Sequence, residues 1–76
     1  MNETATTLDV DARGLEPPMP LVLILERLAT LPEGGALRAR TDRRPMHLYD
    51  LLVDRGFASF TEEQNDGTYV TLIRRT

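Results

Sequence analysis

The hydrophobic repeat of this chain switches from two residues to about 3.6 and back, twice, before it closes on a hairpin, an order that admits few folds. Leu8 to Asp11 alternates Leu, Asp, Val, Asp, the pattern of a strand with one buried face and its acids on the other. Arg13 and Gly14 turn the chain, and Pro17, Pro18 and Pro20 follow. Proline is tolerated in the first turn of a helix, where an N–H has no intrahelical acceptor, so a helix is expected from near Pro18. It runs to about Leu31, with Leu21, Ile24, Leu25, Leu28 and Leu31 on one stripe, and Pro32 to Gly35 stops it. Val22 and Leu23 lie off that stripe, which widens the apolar face of the first turns.

Ala36 to Thr41 alternates again, Leu37 and Ala39 against Arg38 and Arg40. Asp42 is a candidate N-cap for a second helix with Pro45 in its first turn and Leu48, Leu51 and Leu52 inward. Gly56 suits its C′ position. Phe57 to Arg75 reads as two strands around the turn Asn65-Asp66-Gly67. The order β-α-β-α-β-β, with right-handed crossovers, puts both helices on one face of a sheet and gives an α+β two-layer sandwich. Residues 1–7, polar and threonine-rich, are expected to be a flexible N-terminus, and residues 8–76 one domain with a small core.

Composition narrows the chemistry. The net charge is −3 and all nine basic residues are arginine. Lysine Schiff-base chemistry and a P-loop lysine are therefore excluded for this chain. It contains no cysteine, one serine, Ser59, and one histidine, His47, which leaves little material for nucleophilic catalysis. No cofactor is implied. The longest apolar run, Leu21 to Leu25, is far short of a membrane span, and no export signal opens the chain, so a cytoplasmic protein is expected.

The segment Asp11-Ala12-Arg13-Gly14-Leu15-Glu16-Pro17-Pro18-Met19-Pro20 resembles the Asp-x-Arg-Gly-Leu-x-Cys-Pro-x-Pro signature of the TusA-like (SirA-like) sulfur carriers. Pro17 stands where that signature has its sulfur-carrying cysteine. The segment Asp42 to Tyr49, reading Asp-Arg-Arg-Pro-Met-His-Leu-Tyr, is similar to the Asp-x-x-Pro-x-x-Leu-Tyr signature of a cysteine-lacking, uncharacterised branch of the same superfamily. What the resemblance implies is a mixed four-stranded sheet in order 1-2-4-3, with the motif's prolines and Gly14, Pro45 and Gly56 as framework. A persulfide relay needs a thiolate, so that activity is not implied here. In this setting Pro17, Pro18 and Pro20 read as a rigid start to the first helix, with a polyproline ligand as the alternative.

If the first two strands are parallel neighbours, their following loops emerge together and bring Arg13 and Glu16 near Asp42, Arg43 and Arg44. Two helix N-termini with three arginines suit a phosphate, a carboxylate or an acidic peptide. Glu16 and Asp42 offer the same arginines partners, so capping and surface ion pairing explain the cluster too. The expected function is a non-enzymatic module for an unknown protein or a small anionic ligand. Two alternatives accompany it. His47, Asp50 and Asp54 share a helix face at metal-ligand spacing, which suits metal binding or a small enzymatic role centred on His47, although a solvated face also explains them. Arg38 and Arg40 on the open sheet face could meet RNA, but Asp9 and Asp11 lie across from them, and the negative net charge argues against nucleic acid. Apolar residues on that open face, Phe60 or Tyr69, would support a weak homodimer in place of a monomer.

Overall fold

A computed structural model describes residues 6–76. Its elements are β1 (Thr7–Asp11), α1 (Met19–Leu28), β2 (Ala36–Thr41), α2 (Met46–Asp54), β3 (Phe57–Glu63) and β4 (Tyr69–Arg75). The four strands form one sheet in the order β1-β2-β4-β3, parallel between β1 and β2 and antiparallel elsewhere. No helix among the described residues is long and apolar enough to cross a membrane.

Register explains which side chains are buried. Leu8 and Val10 align with Leu37 and Ala39, which align with Ile73 and Thr71 across β4. This is the helix-covered face, and Leu37, Ala39, Thr71 and Ile73 are fully buried. Ile24 and Leu28 of α1, Leu48 and Leu52 of α2, and Phe57 complete the core. The polar residues of this layer satisfy one another. Thr61 and Thr71 share a hydrogen bond of 2.9 Å, and the Tyr49 hydroxyl reaches Thr61 Oγ1 at 2.7 Å. No buried side-chain nitrogen or oxygen among the described residues lacks a partner, as burial of a hydroxyl requires.

Several boundaries differ from the sequence reading. β1 begins at Thr7, and the Ala36 N–H donates to the Thr6 carbonyl at 2.9 Å, so Thr7 belongs to the sheet and Thr6 is tied to its start. The rest of the expected flexible tail, residues 1–5, lies outside the described residues. Helix α1 ends at Leu28, where the backbone tightens: Thr30 and Leu31 donate to carbonyls three residues back. Leu31 stays in the core all the same, through those turns. Asp42 does not cap α2. Pro45 takes the N-cap position, no side chain caps the helix, and the Asp42 carboxylate is engaged elsewhere. Gly56 follows the C-cap with φ of +81°, the left-handed backbone that ends a helix without a Cβ clash.

Candidate functional site

Parallel pairing of β1 with β2 places their following loops at one end of the sheet, and one hydrogen bond ties them together. The Gly14 N–H donates to Asp42 Oδ2 at 2.7 Å across 28 residues. Gly14 has φ of +79°, a conformation that presents this N–H to the neighbouring loop and that side chains with a Cβ rarely adopt. Asp42 is thus the clasp between the two loops.

Arg13 turns back onto its own strand. Its Nε and Nη2 donate to both oxygens of Asp11 at 2.9 and 2.8 Å, and its backbone N–H donates to Oδ1 at 3.1 Å. These bonds hold the Asp11 carboxyl down to about 2, since each favours the ionised form. The guanidinium is stabilised in turn, first by Asp11 and then by the fields of Asp66 and Asp42. Asp66 belongs to the β3–β4 turn, which the antiparallel register of β2 and β4 brings to this same end. It was legible in the sequence only as a turn residue. Its carboxyl is held low by the Thr68 hydroxyl and N–H, at 2.6 and 3.0 Å, with Arg40 and Arg13 adding attraction.

The other expected residues fall into two groups. Glu16 uses its carbonyl, which accepts from the Met19 N–H at 2.8 Å, to start α1, and its side chain is exposed. Pro17 and Pro18 are joined by a cis peptide, Pro18 is the N-cap residue, and Pro20 lies in the first turn. Arg43 accepts a 2.7 Å bond from the buried Thr41 hydroxyl through its carbonyl, which leaves the guanidinium outside. Arg44 lies over the Tyr69 ring, 5.2 Å from the centroid. The ion pairs among the described residues are Arg13 with Asp11 and Arg38 with Asp9, so neither Arg43 nor Arg44 faces a carboxylate partner. Neither helix carries a side-chain cap, and Leu15 and Met19, which flank the entry to α1, are exposed.

On the open face, the cross-strand charges are partly paired. Arg38 donates to Asp9 at 2.8 Å and holds that carboxyl below its usual range. Tyr69 is in register with Thr41 on the helix-covered side, which corrects its expected place on the open face, while Phe60, 63% exposed, is open as expected. His47, Asp50 and Asp54 are all exposed on α2. No three His, Asp or Glu side chains among the described residues come together to hold a metal ion.

The chain has a structural neighbour in a SirA-like protein from Desulfitobacterium hafniense, with a TM-score of 0.78 at 25% identity, over 87% of this chain and 93% of that one. No functionally curated protein matches it. The fold is thus the SirA-like one that the proline motif implied, with the 1-2-4-3 sheet and two helices, but without a cysteine. Residues 9–75 match the family model described as uncharacterized conserved protein (DUF2249), and the chain belongs to that family.

Proposed function

We propose that this protein is a non-enzymatic docking module, a SirA-like domain whose loop end binds an acidic group on a protein partner or a small anion. Sulfur cannot be carried on a thiol of this chain, because Pro17 stands at the position of the carriers' cysteine and no other cysteine is present. The observation that carries the reading is the state of charge at the loop end. Arg13 is spent on Asp11 and Asp42 on the Gly14 N–H, whereas Arg43 and Arg44, just before the uncapped start of α2, have no carboxylate partner among the described residues. A guanidinium in that position offers planar, paired donors to a carboxylate or phosphate. Glu16, Asp42 and Arg13 would then frame the site, with Arg43 and Arg44 as its contacts. Exposed Leu15 and Met19 add an apolar border.

The test is affinity capture from soluble extract of the source cells, with the Arg43→Ala, Arg44→Ala variant in parallel and mass spectrometry of proteins and small molecules as readout. A species held by the native chain and lost, by about tenfold or more, from the variant is expected; the size follows from losing two charge-assisted contacts. Equal capture by both would refute the assignment of the site.

A further inference from the structure

The sheet has two edges, and they are built differently. β1 is five residues long and carries Asp9 and Asp11. β3, seven residues long, pairs with β4 in unbroken register from Phe57↔Arg75 to Glu63↔Tyr69. It has no proline, no lysine and no bulge, and its two charged residues, Glu62 and Glu63, are gathered at one end. The Gln64 N–H donates to the Thr68 carbonyl and the Thr76 N–H to the Gly56 carbonyl, so Gly56 and Gln64 face β4. By the alternation of an antiparallel ladder, the N–H and C=O groups of Phe57, Ser59, Thr61 and Glu63 point outward, away from β4.

We propose that β3 pairs antiparallel with β3 of a second copy, about a two-fold axis at Phe60 that runs through the plane of the sheet. In this register Phe57 meets Glu63 of the other copy and Ser59 meets Thr61, all with outward-pointing backbone groups, and an eight-stranded sheet results.

Charge complementarity selects this arrangement. Ala58 would lie opposite the second copy's Glu62, and Ala58 is itself in register with Arg74 on the next strand. Glu62 and Arg74 would then flank a small alanine on the open face, at roughly 10 Å between backbones, within reach of two long side chains. The dyad repeats this pair. The two Glu62 residues stand four positions apart, at roughly 13 Å, so the acidic end of the strand does not meet itself.

An apolar flank on α2 supports the same axis independently. The Tyr49 hydroxyl bonds to Thr61 and so marks the side of α2 that leans towards β3. Met46 and Val53, three residues before and four after, share that side and are 61% and 71% exposed. An axis normal to the sheet keeps all helices on one face and brings this flank against its own copy. Phe60, 63% exposed beside Leu72, meets its mate on the opposite face.

Sedimentation equilibrium should return twice the chain mass for the native protein. Glu62→Arg and Arg74→Glu should each weaken the dimer roughly tenfold, and the two together should restore it. Because the chain has no cysteine, a single thiol reports register. Phe60→Cys should give a disulfide-linked dimer under diamide, since opposite residues of a non-hydrogen-bonded pair lie about 4.5 Å apart between Cα atoms. Glu62→Cys should not. Circular dichroism confirms that each variant is folded, and Arg43→Ala with Arg44→Ala should leave dimerisation unchanged, which separates this proposal from the docking site. A monomer at millimolar concentration overturns it. So does a dimer that ignores both charge reversals and fails to cross-link through Phe60→Cys, because its contact lies elsewhere.

Discussion

Asp11 shows how one residue redirects a site. Its carboxylate takes the Nε and Nη2 donors of Arg13, which loop geometry alone would aim at a ligand. The depressed carboxyl sets the sign of the pH dependence. A group held at about 2 in the folded protein, against an ordinary 3.8, stabilises the fold above its unfolded value and loses that contribution as pH falls from about 3.8 to about 2. The carboxyl carbon of Asp11, followed by NMR, should therefore titrate near 2, and Asp11→Asn should flatten the acid limb of the stability curve in that interval. A midpoint near 3.8 would mean that the Arg13 bond does not persist in solution. In the core, Leu52 is fully buried, and Leu52→Ala should cost about 3 kcal/mol in denaturant unfolding. Thr71→Val removes the buried hydroxyl partner of Thr61 and should cost about 1 kcal/mol.

At the scale of elements, periodicity was a sound guide to what forms and a poorer guide to where it ends. β2 spans Ala36–Thr41 as the alternation of Leu37 and Ala39 with arginines indicates, because side-chain direction in a strand depends on the pleat alone. The end of α1 was harder to read. Leu31 continues the apolar stripe, but hydrogen bonds to carbonyls three residues back carry it to the core after the helix has stopped. Likewise Asp42 has the composition of an N-cap, and a bond to Gly14 in another loop claims it first. Gly56 was legible, since a helix followed at once by a strand needs a sharp reversal. Gly56→Ala should lower stability by about 1 kcal/mol or more, through strain at positive φ. Thermal and denaturant melts measure it.

For the whole molecule, protection of amides should follow position in the sheet. β2 and β4 are paired on both sides, and β1 and β3 on one. Hydrogen exchange should be slowest in the two central strands. The outward N–H groups of β3, at Phe57, Ser59, Thr61 and Glu63, should exchange quickly in dilute solution and more slowly as protein concentration rises. Exchange independent of concentration at those four positions would count against pairing of the edges.

By itself, the sequence determined the element order, the two-layer class, the helix-covered faces of β1 and β2 and the loss of thiol chemistry. Each depends on local spacing or on the presence of an atom type. The proline motif added the SirA-like topology. Only the tertiary structure decided which charges remain available. Arg13, Arg38, Arg43 and Arg44 are chemically alike in the chain, yet the first two meet Asp11 and Asp9 while the last two meet no carboxylate among the described residues. It also decided that Asp66 stands beside the strand-end loops and that Tyr69 lies under Arg44 on the covered side. The physical reason is that an ion pair is made across space, at a few ångströms, between groups whose separation along the chain carries no information about their distance after the strands have found their register.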